Sequence, residues 1–251
     1  MLPLARRWPR RLDGVAAVLG SLAPDVGYAL EGTGVALSAH ELPALVAFGV
    51  PVTVVLAWCV TRVLAPVVPD HLPRLGPFHL PDYRGLAVHR FAPLATTCGT
   101  LLALVVHVGL DHLTHQWGRP ARHIGPYDEP LVGEAWSPME IVTVVLHLGG
   151  AALCVWLLAR YGRDRWMSGT AAMVQPFPTS RRSHATLWLA TATGAVTGLA
   201  WSLSAADPRG ATVMMRVAGG TFLGMTAGAL LVRGSRPGPC RPPRPVPGAA
   251  I

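Results

Sequence analysis

PLATTCGTLLALVVHVGLDHLTH occupies residues 93–115, and its reading decides the fold class. No ionisable side chain except Cys98 precedes His107 in it. A helix needs about 20 such residues to cross a hydrocarbon layer of ~30 Å. Comparable runs lie at residues 14–30, 44–65, 139–160, 184–204 and 211–232. The pattern predicts an all-α polytopic membrane bundle of about six transmembrane helices, forming a single domain over residues 1–233.

Composition points the same way. The 251 residues are 51% hydrophobic and 14% charged, whereas soluble globules carry about 25% charged residues. Mean hydropathy is +0.40. The formal charge is +8, and all 21 basic residues are arginine. In a chain of apolar runs this excess sets orientation rather than serving nucleic acid. With the N-terminus inside, 17 arginines fall in cytoplasmic segments and four outside (Arg119, Arg122, Arg209 and Arg216). Both termini are thus expected in the cytoplasm, and the partner is membrane lipid.

The first run is the weakest. Its 17 residues barely span the layer and include Asp25, so a re-entrant element is the alternative. Asp13 interrupts the apolar stretch that a signal peptide would need after Arg6, Arg7, Arg10 and Arg11. The proline-rich segment 66–92 reads as an extended loop, with His-Leu-Pro triplets at His71 and His79 resembling a small repeat. Residues 234–251, rich in proline and arginine, read as a disordered cytoplasmic tail. Cys59, Cys98 and Cys154 lie in apolar runs and read as small buried hydrophobes; no cysteine forms a C-x-x-C pair. Ala190, Gly194 and Gly198, and Gly220, Gly224 and Gly228, make two stripes that let helices approach closely. Mutual packing as scaffold is the favoured reading, and a homodimer through these stripes the alternative.

The polar end of the opening stretch carries the functional signal. His107, Asp111 and His115 are four apart, which on a helix forms one stripe. His112 lies about 100° from Asp111 and is less well placed. The arginine-derived orientation puts the stripe at the outer end of its span, with Asp25 and His40 at the same level. His147 lies eight residues into its span and His107 eight from the end of its own, so they share a depth. Ionisable groups within a bilayer are costly and face a bundle interior or an aqueous cavity. Carboxylates and imidazoles together suit Zn²⁺, Mn²⁺ or Fe²⁺. Each histidine alone is more often a helix cap or an interhelical hydrogen-bonding residue. His89, roughly 33 Å from Asp111 along a straight helix, is left out of the site.

LGSLAPDVGY, SAHELPALVAFGVPVTVVLAW and HVGLDHLTHQWG, in that order, resemble a bacterial multi-pass membrane family known only as a domain of unknown function. That family is distantly similar to metal-dependent hydrolases of the bacterial inner membrane. The resemblance covers most of residues 1–160. It implies metal-site roles for Asp25, His40, His107, Asp111 and His115, with His147 a possible addition from its depth alone, and location in the bacterial cytoplasmic membrane. The family opens with a short stretch ending in Ser-His ahead of the segment matching LPLARR. This chain starts Met1-Leu2-Pro3-Leu4, which implies either residues upstream or a member with one ligand fewer.

The leading expectation is a metal-dependent hydrolase with a His/Asp site at the outer face, acting on lipid or phosphate-ester substrates. No nucleophile motif, P-loop or dinucleotide fingerprint competes, and no catalytic residue is assigned. A transporter, channel or proton-handling protein built on the same groups is the alternative. A b-type haem held by His107 and His147 is the least supported reading, because one such pair arises easily by chance. A purely structural membrane protein is the last.

Overall fold

The computed structural model describes residues 7–8, 11–34, 42–115, 123–124, 127, 129, 137–204 and 210–235. Among them, every regular element is helical. Helix α1 (Gly14–Gly20) is followed by a 3₁₀ turn, Asp25–Leu30. Helix α2 (Leu45–Leu64) has π-helical turns at both ends. Short α3 (Val68–His71) and two 3₁₀ stretches, Gly76–Phe78 and Leu80–Val88, lead to α4 (Pro93–Thr114). Then come α5 (Pro138–Arg163), short α6 (Ser168–Ala171), α7 (Arg181–Leu203) and α8 (Gly210–Gly234).

Four of these, α2, α4, α5 and α8, are long and apolar enough to cross a membrane. Six were expected, and the two differences have separate causes. In the first run, Asp13 caps α1 by accepting from the Val15 and Ala16 amides at 2.9 and 3.2 Å. The helix stops after Gly20 and passes into tighter turns, with Leu22 N–H on Leu19 O at 3.1 Å and Ala23 N–H on Gly20 O at 3.4 Å, because Pro24 has no N–H to offer the Gly20 carbonyl. The fifth run does form a helix, α7, of 23 residues. Threonine, serine and glycine occupy places that leucine or valine would fill in a typical span, and its hydroxyls bond back to the helix. Thr191 donates to Leu187 O and Ser202 to Gly198 O, both at 2.8 Å.

The surface is inverted relative to a soluble globule. No residue in the most apolar window of α5 is buried. Val145 and Leu148 are 63% and 68% exposed, with Leu153, Val155 and Trp156 also outward. Such a continuous apolar exterior needs hydrocarbon rather than water around it. Cys98 and Cys154 share it, and are exposed rather than buried as expected.

Small residues set the contacts between helices. Helix α1 lies parallel to α4: the Asp13 amide donates to Ala95 O at 3.1 Å, and a Cβ on Gly20 would lie 3.2 Å from Ala103 Cβ. Helix α2 runs back alongside, with Gly49 against Leu104 and Arg62 donating to Ala87 O and His89 O, both at 3.2 Å. Helix α5 is antiparallel to α4, with Thr143 reaching Thr114 O at 3.3 Å. Helices α7 and α8 form a tight antiparallel hairpin in which the two stripes meet. Gly194 abuts Gly220 O, Gly224 abuts Ala190 O, and Gly198 abuts Arg216 O. Arg233 donates to Arg62 O at 2.8 Å, so Arg62, Arg90, Arg160, Arg163, Arg181 and Arg233 gather at one arginine-rich end.

The proline-rich segment is folded rather than extended. Pro69, Pro77 and Pro81 each occupy the start of a short helical turn, where the missing N–H costs nothing. Asp70 accepts from Arg84 at 2.8 Å and from the Phe177 amide at 2.7 Å, and Arg165 donates to Asp82 at 2.7 Å. The His-Leu-Pro triplets are not equivalent. His71 is buried, donating Nδ1–H to Val67 O at 2.9 Å and accepting from Ser183 Oγ at 3.0 Å, whereas His79 is a left-handed link with φ 43°. The tail, from residue 236 on, lies outside the described residues.

Candidate functional site

The break after α1 builds one side of the site. Helix α1 has ended at Gly20, so Ser21 O is available to a side chain, and His107 Nδ1–H donates to it at 2.8 Å. A carbonyl can only accept, so Nδ1 carries a proton and Nε2 is the other, buried ring nitrogen. Asp25 opens the 3₁₀ turn, and its Oδ1 lies 3.4 Å from His107 Nε2. Asp111, one turn further along α4, brings Oδ2 to 3.1 Å from the same atom. Two carboxylates 86 positions apart in sequence thus converge on one nitrogen. The His107 side chain is 14% exposed, Asp111 14% and Asp25 28%, and the facing atoms His107 Nε2 and Asp111 Oδ2 are themselves buried.

This arrangement has a definite electrostatic consequence. In a neutral imidazole with Nδ1 protonated, the Nε2 lone pair faces two carboxylates, which is repulsive. A proton shared between Nε2 and a carboxylate, or a cation between them, removes that repulsion. Metal-bound histidine commonly donates its second N–H to a backbone carbonyl, as His107 does to Ser21. Neighbouring ligands on a ~2.1 Å metal–ligand bond stand roughly 3.0–3.4 Å apart, the range of the two separations here. Among the described residues, no group of three or more His, Cys, Asp or Glu donors is arranged to enclose an ion. Asp25 and Asp111 each approach His107 Nε2.

The other expected members fall differently. His115 is the C-cap of α4 with φ −123° and ψ 146°, so it has left the helix and the four-residue stripe ends at Asp111. Its side chain nonetheless folds back, with Nδ1–H donating to Asp111 O at 3.2 Å. His147 is exposed, and its Nδ1–H donates to Thr143 O at 2.7 Å on its own helix. Its depth resembles that of His107, but equal depth does not select the facing side of a helix. His40 lies outside the described residues.

Sequence reasoning passed over Arg216, counted only as an outer-loop charge. It is 4% exposed within α8. Its Nε donates to Ala29 O at 3.1 Å and its Nη2 to Glu31 O, and the guanidinium sits 4.3 Å above the Trp201 ring. It therefore pins the end of the turn that begins with Asp25. Thr212 adds a hydrogen bond to the Glu31 carboxylate. A lone arginine six residues into an apolar run was the available signal.

A second polar cluster lies at the arginine-rich end. Asp13 accepts from His89 Nε2 at 3.0 Å and from Thr96 Oγ1 at 2.9 Å, besides the two α1 amides. His89 thus belongs to the opposite end of α4 from Asp111, as its distance along the helix implied.

The family model described as "Domain of unknown function (DUF4184)" matches residues 1–233. No curated protein and no solved structure matches the chain.

Proposed function

We propose that this chain, which belongs to the DUF4184 family, is a multi-pass protein of the bacterial cytoplasmic membrane that binds a divalent transition metal through Asp25, His107 and Asp111 for metal-dependent hydrolysis. In this reading the chain passes the bilayer six times. The first pass is the broken element α1 plus its 3₁₀ turn, the fifth is α7 carried by α8, and the arginine-rich end is cytoplasmic.

One observation carries the proposal: the Nδ1–H to Ser21 O bond aims His107 Nε2 at two carboxylates. Two aspartates with a neutral histidine sum to −2, and with an imidazolium to −1. A divalent cation brings the group to zero, the state least costly inside an apolar bundle. Such an ion, when bound, would lower the pKa of a coordinated water to about 7 and polarise an ester oxygen. Asp25 and Asp111 then serve as ligands, Ser21 O fixes the tautomer, and His115, folded back on Asp111 O, is the group to hold the displaced proton. Lipid or phosphate-ester substrates suit a site at a bilayer face.

The second reading keeps the same geometry with a proton on Nε2, making the site a proton-handling element of a transporter. Elemental analysis of detergent-purified protein, wild type beside Asp111→Ala, separates the two. The hydrolase reading expects about one tightly held transition-metal ion per chain, lost in the variant. A wild type free of metal sinks it, and a proton leak in proteoliposomes abolished by Asp111→Ala then supports the second.

A further inference from the structure

A cavity of about 670 Å³ opens at the arginine-rich end, remote from the Asp25–His107–Asp111 group. Its apolar walls include Val18 of α1, Val60 near the end of α2, Leu86 of the second 3₁₀ stretch and Leu158 near the end of α5. The Asp13–His89 pair and Tyr83 form its polar part, and the exposed Arg90 stands at its rim. Val60 and Leu158 belong to helices long and apolar enough to cross a membrane, each within a few residues of its terminus. The cavity therefore sits where acyl chains meet headgroups. Its volume is in the ~300–1,000 Å³ range of small-molecule sites. An apolar interior with a basic rim matches an amphiphile with one hydrocarbon chain and an anionic head.

We propose that this cavity holds one acyl chain of an anionic phospholipid, with the phosphate on Arg90. Asp13 ties down the His89 ring beside Arg90, and Arg62 braces the same segment through Ala87 O and His89 O. The remaining arginines at this end add a field that favours negative headgroups. This site stands independently of the metal reading, since it shares no residue with it.

Native mass spectrometry of the full chain in detergent, titrated with phosphatidylglycerol or phosphatidylcholine, tests it. The expected result is one retained phosphatidylglycerol per chain and about tenfold weaker retention of phosphatidylcholine. Val18→Trp, which fills the cavity, should lose the adduct. Arg90→Gln, at an exposed position that leaves the fold intact, should lower phosphatidylglycerol retention about tenfold. No retained lipid, equal retention of the two lipids by wild type, or unchanged phosphatidylglycerol retention in Arg90→Gln overturns the proposal. If the chain's own first ten residues occupy the cavity, no adduct forms, which also overturns it.

Discussion

Replacing Arg216 with methionine tests whether the Asp25 turn is held in place from α8. The guanidinium makes two hydrogen bonds to turn carbonyls, at Ala29 and Glu31, and each bond to a charged donor is worth ~1.5–3 kcal/mol. The residue is 4% exposed, so solvent screening subtracts little. The 3.4 Å contact to Trp201 O is too long to count for much. Methionine retains part of the contact with Trp201 but leaves both carbonyls without this donor. The expected loss is ~3–5 kcal/mol of local stability. Only the portion transmitted to Asp25 reaches a bound ion, and positioning groups of this kind change metal affinity ~10–100-fold. Arg216→Lys should fall between, because an ammonium cannot reproduce the planar fork. Competitive zinc titration of detergent-purified protein against a chromophoric chelator, paired with thermal unfolding, reads both effects. A Met variant that melts earlier yet binds zinc as tightly as wild type would refute the coupling between Arg216 and Asp25.

Other outcomes follow from the same structure. Gly194→Val should lower the melting temperature by several degrees, since its Cβ would meet Gly220 O and lie 2.9 Å from Gly224 Cα, a clash costing ~1–3 kcal/mol or more. Gly219→Val, where nothing lies within 4 Å, is its control, and equal melting of the two variants would contradict the α7–α8 hairpin. Burial raises the Asp13 carboxyl, but hydrogen bonds and charge from His89, with the Ala16 amide and Thr96, outweigh it and leave the pKa below 3.8. Its stabilising contribution is therefore complete above about pH 3.8 and is lost as the pH falls below that value through the folded-state pKa. Asp13→Asn should flatten this acid limb in a pH series of thermal melts. Stripping metal with a strong chelator should lower the melting temperature of wild type but not of Asp111→Ala. The loss is ~2.7 kcal/mol if free ion had stood at 100 times its Kd.

The long helices were legible because their signal is local. An apolar run of span length is favourable in lipid whatever its neighbours, and α2, α4, α5 and α8 fall within a few residues of the expected bounds. The pairing of the glycine stripes was legible for a related reason: a bare helix face at four-residue spacing lets another backbone approach, and α7 and α8 are adjacent in sequence. Asp25 and His107 could be placed at one level because arginine set the direction of each run, which ordered residues by depth. Depth says nothing of rotation. That is why His147, at a similar level, turns outward while Asp25 reaches His107 Nε2. The fold also determined where regular structure stops. Pro24 ends α1 and leaves Ser21 O for His107, and His115 leaves α4 one residue after Thr114. The Arg216 clamp and the ion pairs that fold residues 66–92 had no local signature of partner or direction. Each is a contact between groups far apart in sequence, and its free energy exists only once the intervening chain has brought them together.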